Sequence, residues 1–390
     1  MTARVDPQFL TELKKYGEVN IESCFNCGNC SAICPLSTEE DNFPRRMNRF
    51  AQLGLRDHLL ASKELWLCYY CGECTKTCPR QADPGEYMAS ARRYAIASYD
   101  PTGLAKLLYT SPVLSVIFLL VLAAAIGAFF FQASAPMDLQ TLRLFEFIPS
   151  KLIHNAGIAV GIVIVLATLA GMASMWRRTF QALGYPKGTR LDWWGAIWKA
   201  FGQEVLGQSR YRKDCESSAV NKPWHSQKWF VHASILWGFL GLFAATALDY
   251  LLELLNVKAT GTWVPLWYPI RLLGTISGLF LLYGTSMAFM RRFRKDDVSY
   301  EKSTSSDWIF LMLMWLAGVT GFLLEIGVYL PAAAWSYWML LAHLIVVGEL
   351  LLLAPFTKFA HAVYRSIALY LWALKPLPQK EEVIAPASAD

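Results

Sequence analysis

Residues 24–35 read CFNCGNCSAICP, and residues 68–79 read CYYCGECTKTCP. Both follow C-x2-C-x2-C-x3-C-P, and each cysteine of the first set recurs 44 positions later. This is the spacing with which bacterial ferredoxins hold 4Fe-4S cubanes: three closely spaced thiolates wrap three irons, and the fourth cysteine reaches the other cluster. It assigns Cys24, Cys27, Cys30 and Cys78 to one cluster, and Cys68, Cys71, Cys74 and Cys34 to its partner. The competing reading is a zinc-binding, non-redox membrane anchor. A tetrahedral zinc site uses only four thiolates and leaves a second quartet, with its x3 step and trailing proline, without a purpose. The ninth cysteine, Cys215, stands alone and reads as an inert thiol.

Outward from these motifs, residues 1–100 have ordinary soluble composition, and the rest of the chain does not. Of 390 residues, 55% are hydrophobic and only 17% charged, against about 25% charged in an average soluble protein. The apolar excess begins after residue 107. Six stretches, approximately 107–131, 152–176, 229–252, 266–290, 308–330 and 335–358, match the roughly 20 residues needed to cross a hydrocarbon core. The sequence thus predicts an all-α protein in which a small dicluster ferredoxin domain (1–100) precedes a six-helix membrane bundle (101–374). A cytoplasmic connection (177–226) and a disordered tail (375–390), rich in proline and alanine, complete the expected plan.

Orientation follows from the basic residues that are retained on the cytoplasmic side. The second-to-third connection carries Arg177, Arg178, Lys187, Arg190, Lys199, Arg210, Arg212, Lys213 and Lys222, and the segment after the fourth span carries Arg291, Arg292, Arg294, Lys295 and Lys302. The alternate connections hold only Arg143, Lys151 and Lys258. A multi-pass protein of the inner membrane with both termini cytoplasmic is expected, in contact with membrane lipid. Trp263, Trp267, Tyr268, Trp335, Tyr337 and Trp338 fit an outer aromatic belt. LDWWGAIWKAFGQEVLG, residues 191–207, has the spacing of a helix lying on the inner surface. The N-terminus lacks the apolar core of a signal peptide, so the cysteines are expected to face a reducing compartment. The net charge of +6 is not arranged as a basic face interleaved with stacking aromatics, which argues against nucleic acid.

Four of the six histidines fall in or beside the predicted spans: His154, His232, His343 and His361. An ionisable group at membrane depth points to function. His343 and His361 are 18 residues apart, about five turns and about 27 Å along one helix face, so one helix offers an imidazole near each membrane surface. Depth matching pairs His154 with His343 at an outer haem b. It pairs His232 with His361 at an inner one, if the sixth helix continues past Pro355. Bis-imidazole ligation suits an electron carrier because no open axial position remains for oxygen chemistry. His225 is an alternative inner ligand, and His58 is expected to be solvated. Arg271 and Glu325 are candidates for a quinone site, with a mutual salt bridge as the plainer reading. Asp249 has no assigned role, and Glu349 is placed as a proton relay. No dinucleotide fingerprint, P-loop or nucleophilic triad is present, so terminal catalysis belongs to other subunits.

With these residues in hand, residues 15–97 resemble the heterodisulfide reductase C subunit in both cysteine sets and in PRRMNRFAQLGLRDHLLASKELWLC between them. The membrane part is similar to the cytochromes b of the nitrate reductase gamma and heterodisulfide reductase E family, in QSRYRKD, in WFVHASILWGFLGLF and in the last histidine pair. The fusion resembles the membrane subunits of quinone-interacting oxidoreductases of sulfate reducers. That resemblance implies two haems b, two 4Fe-4S clusters and menaquinone. It also implies cytoplasmic flavin and iron–sulfur partners resembling heterodisulfide reductase A, passing electrons towards adenylylsulfate reductase. A heterodisulfide- or sulfite-reductase-type partner is the alternative. One departure stands out: the gamma-type cytochromes carry a second histidine on the third span, where this chain has Leu242, ten residues after His232.

Overall fold

A computed structural model describes residues 4–17, 20–39, 41–186, 188–214, 223–295, 297–330 and 334–377. Lys187, Cys215, Lys222 and the tail from residue 378 lie outside the described residues. Among the described residues the chain is helical, with no β-sheet. Eight helices position the site. In the cysteine domain α1 is Pro84–Tyr99, and the membrane-length helices are α2 (Pro112–Gln132), α3 (Ser150–Leu183), α4 (Lys228–Leu254), α5 (Pro269–Arg294), α6 (Ser305–Tyr329) and α7 (Trp335–Leu352). The last, α8, is His361–Ala373.

Helix α1 starts where Asp83 accepts a hydrogen bond from the Glu86 backbone N–H, with Pro84 at the first helical position, where a missing donor costs nothing. It buries Tyr87, Met88, Ala91 and Ala95 against Phe9, Leu13, Met47 and Trp66. This core supports both cysteine loops.

The spans differ from expectation at three ends, each for a local reason. Residues 107–110 belong to a separate helix, Leu104–Thr110, because Ser111 caps a new helix that has Pro112 at its first position. Helix α3 runs on to Leu183, and its 34 residues extend about 51 Å, well past a hydrocarbon core. Its excess length packs on α1. The sixth span ends at Leu352 rather than 358, because the Pro355 ring obstructs the preceding turn and supplies no N–H. Two 3-10 turns, Ala354–Phe356 and Lys358–Ala360, follow before α8 begins at His361. His343 and His361 are therefore not on one helix face.

Helices α4 and α5 approach most closely, at glycines. A Cβ on Gly238 would lie 2.6 Å from the Leu281 backbone nitrogen, and one on Gly284 would lie 2.9 Å from the Val231 carbonyl oxygen. Small residues at such crossings let backbones meet where lipid leaves little hydrophobic drive. The outward faces are apolar, with Leu120, Leu166 and Phe243 all more than 60% exposed. In the 191–207 segment, Trp193–Ile197 is α-helical and Trp198–Leu206 is π-helical, and Trp194 and Trp198 stand outward. Of the expected aromatic belt, Trp263, Trp267 and Trp338 are exposed. Tyr337 is buried instead, and its hydroxyl donates to the Asp138 carbonyl at 3.0 Å.

A buried ion pair, Arg93–Asp307, joins the cysteine domain to the bundle. Arg93 of α1 meets Glu86 at 3.1 Å and Asp307 of α6 at 3.4 Å, while Lys358 meets Asp307 from the other side at 2.6 Å.

Candidate redox sites

The two cysteine loops repeat in backbone as they do in sequence. Asn26 and Tyr70 take left-handed conformations at φ 68° and 56°, and Gly28 and Gly72 follow at 93° and 87°. Each glycine starts a short helix, Asn29–Ile33 or Glu73–Lys76, and the two helices pack together. A side chain at either glycine would be strained. After the second turn, Cys68, Cys71 and Cys74 line one cavity, and Cys34 of the first loop reaches it.

Pro35 and Phe43 wall the cavity that Cys34 lines with Cys68, Cys71 and Cys74. Burial pushes the Cys34 thiol up to about 12, with the charges of Cys68 and Cys71 adding. In the first set, burial raises the Cys30 thiol, with Cys24 and Cys27 as its charged neighbours. Backbone N–H groups already point at sulfur: Tyr70 donates to Cys68 Sγ at 3.3 Å, and Ala82 to Cys78 Sγ at 3.4 Å. Such bonds stabilise thiolate charge and tune a cluster's potential. The donor set fits a pair of cubanes, whose thiolates sit on separate irons. Among the described residues no three His, Cys, Asp or Glu side chains gather closely enough for a single ion.

The imidazoles divide differently. His232 of α4 and His361 at the start of α8 are brought together, with ring centroids 6.4 Å apart. Two imidazoles on opposite sides of one metal, at about 2 Å each, would hold their centroids roughly 6 Å apart, a spacing that this pair would match. His361 Nδ1 donates to the Lys358 carbonyl at 2.5 Å, which leaves Nε2 free to ligate. The proline break creates this contact: the turn after Pro355 delivers both the carbonyl and the ring. Tyr211 lies edge-on to His232 at 5.6 Å. His225 sits on a separate turn, Trp224–Ser226, with Nδ1 3.4 Å from the Tyr283 hydroxyl.

His343 Nδ1 is 2.8 Å from Thr320 Oγ1. The Thr320 hydroxyl is within 2.7 Å of the Leu316 carbonyl and directs its proton there, so the imidazole donates and again keeps Nε2 free. Gly321 lies beside this ring. His154 packs on Tyr250 at 4.4 Å, with Nε2 4.0 Å from Glu253.

Arg271 and Glu325 form the salt bridge weighed from sequence, at 3.4 Å, with Thr275 donating to the same carboxylate and Tyr329 under the guanidinium. Asp249 pairs with Lys258. Glu349 is buried, and its Oε1 lacks a hydrogen-bond partner among the described residues. His58 is half-buried against Phe50 rather than solvated.

Sequence reasoning missed the cations that lie on the second cysteine loop. Arg365 donates to the carbonyls of Trp66, Leu67 and Cys68, Arg92 to those of Leu65 and Cys68, and Lys228 to that of Cys71. The available signal was their spacing, since Arg365 follows His361 by four residues and Lys228 precedes His232 by four.

Comparison with known proteins agrees with this division. Residues 20–82 match the 4Fe-4S dicluster domain, and residues 103–380 match the family described as citrate utilization protein B. The cysteine domain is 32% identical over 63 residues to the C subunit of the H(2):CoB-CoM heterodisulfide,ferredoxin reductase of Methanothermobacter thermautotrophicus, covering 16% of this chain and 34% of that protein. It is 32% identical over 71 residues to the iron-sulfur C subunit of the CoB--CoM heterodisulfide reductase of Methanopyrus kandleri, covering 16% and 37%. A stretch of 163 residues is 29% identical to the citrate utilization protein B of Escherichia coli, covering 40% of each chain. The chain thus spans well under half the length of these curated relatives. No solved structure matches it.

Proposed function

The chain belongs to the citrate utilization protein B family through residues 103–380, and from that premise we propose that it is the membrane electron-transfer subunit of an iron–sulfur oxidoreductase, working at the cytoplasmic membrane with both termini inside. The observation that carries this reading is a juxtaposition: Arg365 and Lys228 of the bundle hold the loop of a four-cysteine cavity, and each lies four residues from one of two imidazoles whose centroids are 6.4 Å apart. Residues 1–100 form the cluster-bearing domain, and 101–374 the membrane domain.

Cys24, Cys27, Cys30 and Cys78 would hold one 4Fe-4S cluster, Cys68, Cys71, Cys74 and Cys34 the other, and His232 and His361 a haem b; these groups supply one-electron chemistry when bound. The protein's own part is to fix them. The Lys358 carbonyl orients His361, and Tyr70 and Ala82 donate to sulfur. The apolar walls of the cavity exclude water. His343 and His154 are the ligands proposed for a second haem, with Thr320 holding His343 in the ligating tautomer.

Arg271, Glu325 and Thr275 form a polar group among apolar helices, where a quinone carbonyl would find a donor and its hydroxyl an acceptor. Menaquinone is the quinone the sequence resemblance favours. The same resemblance favours soluble flavin and iron–sulfur subunits as partners, on the route towards adenylylsulfate reductase. The heterodisulfide reductase likeness of the cysteine domain supports partners of that type.

Elemental analysis of anaerobically purified protein tests the proposal. About eight non-haem irons with matching labile sulfide are expected, beside a b-type spectrum. Cys34→Ser is expected to remove about half of the cluster iron, because it opens only the second site. Zinc in place of iron, or a Cys34→Ser protein with unchanged iron, would contradict the assignment.

A further inference from the structure

The two cysteine sets have different surroundings. The neighbours of the first come from its own domain: Gln52 donates to the Cys24 carbonyl, Asn48 reaches Cys30 Sγ, and Arg45 holds Asn26. Its loop faces outward, with Cys27 exposed and Phe25 59% exposed. The second set is held from both parts: Arg92 of α1 donates to the Leu65 and Cys68 carbonyls, and two cations reach it from the membrane part. Arg365 of α8 lays one nitrogen on the carbonyls of Trp66, Leu67 and Cys68 at 2.7, 3.1 and 3.2 Å, and its guanidinium sits 4.7 Å from the Tyr69 ring. Lys228 of α4 reaches the Cys71 carbonyl at 3.4 Å.

Each of these cations is one helical turn from one imidazole of the close pair, about 6 Å along the axis. Tyr69 also stacks on Tyr211 at 5.2 Å, and Tyr211 touches His232. The charges are not equivalent. Lys228 is neutralised by Asp297 at 3.1 Å, whereas no carboxylate meets Arg365 among the described residues.

Resting on the reading above, we propose that the Cys34, Cys68, Cys71 and Cys74 site is the membrane-facing one of the two, and that Arg365 is the positioning residue that couples it to the imidazole pair. Arg365 fixes the loop on which Cys68 sits and places a net positive charge between the two sites. Reducing a thiolate-held cluster adds negative charge, so a nearby uncompensated guanidinium favours the reduced form. The first set, open at Cys27, then faces the soluble partner.

The test is a redox titration of the full chain followed by electron paramagnetic resonance, with Cys34→Ser used to identify which signal belongs to the second set. Arg365→Gln is expected to lower the midpoint of that signal, on the order of tenfold or more in the reduced-to-oxidised ratio at a fixed potential, and to leave the other in place. Arg365→Lys, which keeps the charge but not the fork, is expected to stay near the unsubstituted value. A purely structural role would change cluster occupancy without moving a midpoint. The proposal is overturned if the second-set signal does not move in Arg365→Gln, or if the first-set signal moves instead. Should Arg365→Gln fail to retain iron, Arg365→Lys decides: an unshifted midpoint supports the proposal and a lowered one overturns it. Loss of all cluster signals from the unsubstituted chain would instead sink the electron-transfer reading, and this inference with it.

Discussion

On the proposed ligand set, alanine in place of His361 is expected to remove about half of the haem, and His232→Ala is expected to do the same. The two rings meet at 6.4 Å, and the Lys358 carbonyl holds His361 with Nε2 free. Neither ring has a substitute within that geometry, since His225 lies on its own turn against Tyr283. His225→Ala should therefore retain full haem content. A pyridine haemochromogen assay on the three variants reads this directly. Equal haem in all three would remove the pair from the site.

The second large effect falls on the junction of the two domains. Asp307 is buried between Arg93 and Lys358, at 3.4 and 2.6 Å, and its carboxylate also receives the Thr304 backbone N–H at the start of α6. Asp307→Ala leaves Lys358 without its carboxylate and Arg93 with Glu86 alone, and removes the cap. Breaking one partner of such a buried network costs about 3–5 kcal/mol. The expected result is a markedly lower thermal midpoint in detergent, with the cysteine domain released first and its iron lost. Arg46→Ala, whose partners Asp41 and Glu64 lie within the cysteine domain on a more exposed pair, should shift the midpoint far less. Similar shifts for both would mean that the junction does not hold the domains together.

Much of this was legible in the sequence because it rests on local chemistry. The C-x2-C-x2-C-x3-C-P spacing directs the fourth cysteine to the other set, and Cys34 lines one cavity with Cys68, Cys71 and Cys74. The six membrane-length helices follow from composition, since only apolar residues tolerate an outward face in lipid. The meeting of His232 with His361 was reached by depth on the premise of a helix running past Pro355. The helix stops there, and the rings meet because the two 3-10 turns re-aim the chain. What stayed hidden was tertiary. Arg365 lies 297 positions from the Cys68 carbonyl it binds, and no period or spacing within one helix specifies that contact. Tyr337 misled for a related reason: an aromatic at a helix start reads as interfacial, but a backbone carbonyl at Asp138 draws its hydroxyl inward.

The central claim is that this chain carries electrons between a membrane site and a cytoplasmic one. An anaerobic reductive titration of the purified full-length protein, followed by absorption and electron paramagnetic resonance, tests it most directly. The account predicts uptake of about four electrons per chain, one at each cysteine set and two in a b-type band. A protein that takes up no electrons and shows neither a cluster signal nor a reduced b-type band would contradict it.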